Sequence, residues 1–162
     1  YIISWKLTTT MGADDVKLTL DDAIGRTGAD QVVVKHRPRL LSDNGPCYLS
    51  KELKEYLKER KMQHTRGAPY HPQTQGKIER YHRSMKNVVK LENYYYPWEL
   101  EKAIGQFVDY YNHQRYHESL DNVTPADMFY GRYEEIMDRR QLIKQQTLRC
   151  RREENLMTCS TY

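Results

Sequence analysis

The spacing of apolar positions changes period several times along the chain, and each change predicts an element. Residues 1–7 (YIISWKL) are β-branched and aromatic and read as a strand. In 13–26, Val16, Leu18, Leu20, Ala23 and Ile24 fall among acids at helical spacing, and Gly28 is placed to stop the helix. Residues 31–42 hold two short extended pieces, VVV and RLLS, interrupted by Pro38. Ser50 suits the N-cap of a helix running to about Lys61, with Leu53, Tyr56 and Leu57 on one face. Residues 62–66 return to strand and 67–70 to loop. Helices follow at 72–92 and 98–114, and a short one at 125–130 opens with Thr124 as cap and Pro125 in the first position. A charged segment, 133–154, reads as a helix with a weak apolar stripe. Strands interleaved with helices make the chain α/β.

Composition narrows this picture. The 162 residues suffice for one ordinary domain with a real core, but hydrophobic residues are only 38% and charged ones 30%. Fourteen Tyr against two Phe means that most aromatic rings can pack and still reach a polar partner. No apolar run approaches the roughly 18 residues of a membrane-spanning helix, so no membrane partner is expected. Cys47, Cys150 and Cys159 are odd in number and scattered, which suits a reducing compartment better than a disulfide framework.

Charge is unevenly placed. Residues 58–90 carry nine Lys/Arg and two acids, a local +7, against a formal +4 for the whole chain. A basic segment on a neutral-to-acidic body is an electrostatic footprint for a polyanion. Within it lies Glu79, and thirty-five residues (44 through 78) separate Glu79 from Asp43. Asp43 ends an apolar run, so it projects from a strand end into a Gly-containing turn. Two carboxylates, one on a strand end and one on a basic helix, suit divalent metals working on a phosphodiester backbone. At 100° per residue, with Ile78 as zero, Tyr81, His82, Met85, Val88 and Val89 fall within about −80° to +40°, the side expected to be buried. Glu79, Arg83, Lys86 and Lys90 share a second stripe. An i,i+4 pair of Glu79 with Arg83 explains one of these cations; a stripe following a phosphate backbone explains all of them.

The strings LLSDNGPCYLS, PYHPQTQGKIERYHRSMK and YNHQRYHESLDNVTPADMFYGR resemble the catalytic core of insertion-sequence transposases and retroviral-type integrases. The resemblance covers about residues 1–131, leaving 132–162 as a charged helical tail. It implies a ribonuclease-H-like mixed sheet flanked by helices and an Asp, Asp, Glu triad, of which Asp43 is the second member and Glu79 the third. The first Asp of the family ends the strand before the one at Tyr1, so the first strand and its Asp are expected upstream and these residues are expected to be inactive alone. Asp14 and Asp15 sit at a helix start and do not replace it. By the same resemblance Asp43 and Glu79 are the metal ligands, with two Mg²⁺ (or Mn²⁺) ions in the complete enzyme. His71, Gln73, Lys77, Arg80, Arg83, Lys86 and Lys90 become candidates for DNA contact. The partners implied are mobile-element ends, target DNA and further copies of the chain, and the location a bacterial cytoplasm, at the nucleoid. A non-catalytic remnant that still binds DNA or a sister subunit is the alternative.

Other chemistry fits less well. No C-x-x-C exists, and the i,i+4 pair His113 and His117 straddles a helix end, so zinc has no ligand set. A calcium loop with Gly45 in sixth position puts Leu40 first and Lys51 last, both wrong. Asp43 could also simply cap a turn through Asn44 and Gly45. Tyr94, Tyr95 and Tyr96 are expected to pack against the following helix rather than stack on bases, and Trp5 and Trp98 to lie in the core.

Overall fold

The computed structural model describes residues 1–29, 31, 38–67 and 76–159, the side chains as far as 157. It divides into two compact units, Ile2–Phe107 and Val108–Tyr162 with Tyr1. In chain order the elements are α1 (Ala13–Thr27), β1 (Leu40–Ser42), α2 (Pro46–Leu49), α3 (Lys51–Glu59), β2 (His64–Arg66), α4 (Gly76–Val89), α5 (Pro97–His113), a 3-10 turn (Glu118–Leu120), α6 (Pro125–Phe129) and α7 (Tyr133–Cys159).

In the unit Ile2–Phe107 the only sheet among the described residues is a parallel pair, Leu40 opposite His64 and Ser42 opposite Arg66. Parallel strands need a crossover, and α2 and α3 supply it. Ser50 caps α3 by accepting from the Leu53 amide at 3.2 Å. Leu53 and Leu57 turn inward with exposures of 0% and 3%, and Cys47 of α2 is buried with them. Helix α1 packs on α3. Here the Tyr56 hydroxyl donates to Asp21 at 2.7 Å, and Arg60 pairs with the same carboxylate. Gly28 stops α1 in the left-handed conformation (φ 63°), its amide donating to the Gly25 carbonyl at 3.2 Å. Asp15, in the first turn of that helix, accepts from the Gly12 amide and the Thr10 hydroxyl. These bonds, the Gly12 amide foremost, hold its carboxyl below the usual range.

The unit from Val108 has its own small core, in which Val123 and Ala126 are fully buried. Thr124 caps α6 and exchanges hydrogen bonds with Asp127, a capping box. The Tyr1 ring stacks on Phe129 at 4.4 Å. Arg140 fastens the start of α7 by donating to the carbonyls of Asp121 and Asn122 at 2.7 and 2.6 Å. From Asp138 to Met157 every residue of α7 is exposed.

Several expectations need correction. Residues 1–7 form no strand among the described residues, because a strand exists only as a rung partner of another. They lie instead as irregular chain in which the Ser4 hydroxyl donates to Asp22 at 2.7 Å. Trp5 is half-buried, so close to Gly105 that a Cβ there would stand 3.4 Å from its ring. Trp98 is 60% exposed and is not a core residue. Helix α2 was not expected; Pro46 in its first position, with φ already helical, starts it immediately after the turn. The expected VVV strand lies outside the described residues.

Leu53→Ala should lower stability by about 2–5 kcal/mol, the range for emptying a fully buried leucine site. Leu49→Ala, at a half-exposed position of α2, should cost clearly less. Urea unfolding of the two variants checks the ranking.

Candidate metal and nucleic-acid site

Asp43 follows β1 directly and is exposed. Its Oδ1 accepts from the Gly45 amide at 2.9 Å, the Asx turn that an Asp-Asn-Gly sequence allows. The bend is tied to the end of β2 at two points. The Gly67 amide donates to the Ser42 carbonyl at 2.9 Å, and the Asn44 side-chain amide donates to the Gly67 carbonyl at 3.0 Å. Ser42, only 6% exposed, also lies 2.8 Å from Nε2 of His64. Burial first, then the cations of Arg66 and Lys54, keep His64 below the ordinary histidine range, so its neutral form is favoured. The turn role of Asp43 is therefore real, and it leaves Oδ2 outside the turn.

Glu79 is in the first turn of α4 and is exposed, as are Lys77, Arg80, Arg83 and Lys86 of the helix and Lys90 just beyond it. Among the described residues no ion pair involves Glu79, Arg83, Lys86 or Lys90. The Glu79–Arg83 pair weighed above is thus not formed. Arg80 donates through Nε to the Gly76 carbonyl at 3.1 Å. The opposite side of α4 is covered along Tyr81, Met85 and Val89, with the Tyr81 ring 6.1 Å from Phe107 of α5. The covered face is narrower than expected: Ile78 and Val88 are 53% and 54% exposed and His82 is exposed too. His71 and Gln73 lie outside the described residues.

Beyond α4, Tyr96 stacks on Trp98 at 6.2 Å with rings 13° apart, and Glu99 accepts from the amides of Tyr95 and Tyr96. The packing against the α5 start expected for this loop is thus made by Tyr96, whereas Tyr95 is 87% exposed. At the other end of α5, His113 pairs with Asp109 at 3.1 Å.

For a divalent hard cation the donors fit in kind: two exposed carboxylates, neither spent on a cation. Among the described residues no group of three His, Cys, Asp or Glu is placed to hold a metal.

Comparison with known proteins bears on this arrangement. Two family models, both described as integrase core domain, match residues 1–72 and 60–125. The chain belongs to the integrase core family. The Pol-related polyprotein of mouse intracisternal A-particle MIA14 is 45% identical over 72 residues, 43% of this chain and 8% of that protein. The Gag-Pro-Pol polyprotein of mouse mammary tumor virus is 36% identical over 66 residues, 38% of this chain and 4% of that protein. The integrase core thus spans less than a tenth of the polyproteins it matches. Among solved structures, the catalytic core domain of BIV integrase aligns with a TM-score of 0.56 at 23% identity, covering 82% of this chain and 80% of that one. The HTLV-2 integrase catalytic core domain, solved in complex with magnesium, aligns with a TM-score of 0.52 at 21% identity, covering 70% and 68%. The integrase core therefore has the ribonuclease-H-like fold, seen here with a small sheet and many helices. No helix among the described residues is long and apolar enough to cross a membrane.

A Cβ on Gly45 would stand 3.0 Å from Asp43 Oδ1. Gly45 has φ −59°, open to any residue, so Gly45→Ala should leave the unfolding midpoint almost unchanged while displacing the carboxylate. The ¹³Cγ shift of Asp43, compared between wild type and variant, checks this; an unmoved signal would count against the Asx turn.

Proposed function

We propose that this integrase core acts in DNA cleavage and strand transfer, with Asp43 and Glu79 as two members of a carboxylate triad. The observation that carries the reading is the pair itself. One carboxylate leaves the end of a parallel strand, the other opens a cationic helix, and thirty-five residues separate them in a chain of this family.

Asp43 and Glu79 would hold Mg²⁺ or Mn²⁺. When bound, a two-ion site supplies activation of a water or 3′-hydroxyl and stabilisation of the leaving oxygen. The remaining work falls to the chain. Arg83, Lys86 and Lys90 present unpaired cations to a phosphate backbone, and Lys77 and Arg80 extend that surface past Glu79, with His71 and Gln73 as further candidates ahead of it. The partners proposed are element ends, target DNA and other copies of the chain. The proposed organisation is a core over 1–131 with 132–162 as an appended tail. The proposed location is with the DNA: the bacterial nucleoid expected from the insertion-sequence likeness is one such place, although the relatives found are retroviral.

Residues 1–162 are proposed to bind a divalent metal and DNA. A DNA-binding module without chemistry is the second reading, and carboxylate substitutions separate the two. Asp43→Asn and Glu79→Gln should each weaken Mn²⁺ binding, followed by water-proton relaxation, without lowering the duplex affinity measured in the absence of metal. Mn²⁺ binding insensitive to both substitutions would leave the binding module as the better reading.

The stripe has its own test. Replacing Arg83, Lys86 and Lys90 by Gln should reduce the slope of log affinity against log salt by roughly two to three, at about 0.9 per phosphate contact on duplex. An unchanged slope would make the stripe a solvated face.

A further inference from the structure

Ser42 makes two hydrogen bonds through one hydroxyl. Its Oγ donates to the carbonyl of Asp43 at 2.8 Å and stands 2.8 Å from Nε2 of His64. A hydroxyl has a single proton to give. Because that proton goes to the carbonyl, the histidine contact must run the other way, with Nε2–H donating to Oγ. The result is a directed chain from the first residue of β2, through the last residue of β1, to the main chain of Asp43.

Its endpoint separates it from an ordinary cross-strand bond. The Asp43 carbonyl belongs to the peptide that leads into Asn44 and Gly45. That peptide directly precedes the one carrying the Gly45 amide, so holding it narrows where the amide can stand, and this amide holds Asp43 Oδ1 at 2.9 Å. Groups behind a metal ligand commonly set its orientation and its affinity.

We propose that His64 is a positioning residue for Asp43: through Ser42 it sets the main-chain orientation from which the carboxylate reaches its metal. The inference rests on reading Asp43 as a ligand, and sequence patterns could not have found it. His64 lies twenty-one residues beyond Asp43 and meets Ser42 only through the register of β1 with β2.

Residues 1–162 with Mn²⁺ as probe test it. His64→Phe removes the donor, whereas His64→Gln can present an amide N–H in its place. The expected result is Mn²⁺ affinity weakened about tenfold to a hundredfold in His64→Phe and returned to near the wild-type value in His64→Gln. Ser42→Ala, which removes the relay atom and keeps the histidine, should weaken Mn²⁺ as His64→Phe does, and it carries the test should His64→Phe not fold. Two-bond ¹⁵N correlation spectra should show wild-type His64 in the neutral Nε2–H tautomer without any metal. An Nδ1–H tautomer, or Mn²⁺ affinity equal in wild type, His64→Phe and Ser42→Ala, would overturn the positioning role alone. So would a loss in His64→Gln as deep as in His64→Phe. If wild-type Mn²⁺ binding does not depend on Asp43, the ligand reading fails and this inference with it.

Discussion

Three residues of parallel pairing govern what is proposed for Asp43. Leu40–Ser42 lies beside His64–Arg66 in a single register, and that register sets Ser42 against His64 and brings Gly67 to the Ser42 carbonyl. Side chains alternate along a strand, so a slip of one residue would turn Ser42 to the other face and undo these contacts together. A ladder of this length cannot hold itself in register. The crossover helps to hold it, because Leu53 and Leu57 anchor α3 between the two strands, and each such side chain contributes about 1.5–3 kcal/mol by leaving water.

How far the sequence revealed this depended on whether a signal was local. Helix caps and stops are local, and Ser50, Thr124 and Gly28 all act as their positions indicated. Strand 40–42 and strand 64–66 were visible from their apolar and β-branched runs, though both came out shorter. Residues 1–7 had a strand's composition and no strand's structure among the described residues, since composition carries no information about whether a neighbour is present to pair. Trp98 misled for a related reason. A large ring reads as core, but this one finds Tyr96 to stack on and stays mostly in solvent. Of the candidate site, spacing and context single out Asp43 and Glu79 in the sequence, whereas the His64–Ser42 contact, a product of register, has no such mark.

The cations of α4 pose an energetic question that helix stability does not answer. Glu79 in the first turn and Lys86 near the last each suit the helix dipole, worth about 0.3–1 kcal/mol apiece at an exposed site. Those two placements would be favourable in any surface helix. Arg83 is different: it stands four residues from Glu79, where a pair would add a few tenths of a kcal/mol, yet the pair is not made. Exposed ion pairs are weak enough that a small competing cost removes them. Like charges at Arg83, Lys86 and Lys90, three and four residues apart, repel by comparable amounts, so the stripe is mildly unfavourable to the isolated helix. A polyanion reverses that sign. Each phosphate neutralised releases condensed counterions, a gain the free protein cannot make, and the same cations that strain the helix then supply the binding. An unpaired Glu79 in such a stripe would weaken phosphate binding by repulsion unless a cation stood between it and the DNA. Metal and nucleic acid are therefore coupled in this reading: the carboxylate is tolerable on a DNA-facing helix to the extent that a divalent ion covers it.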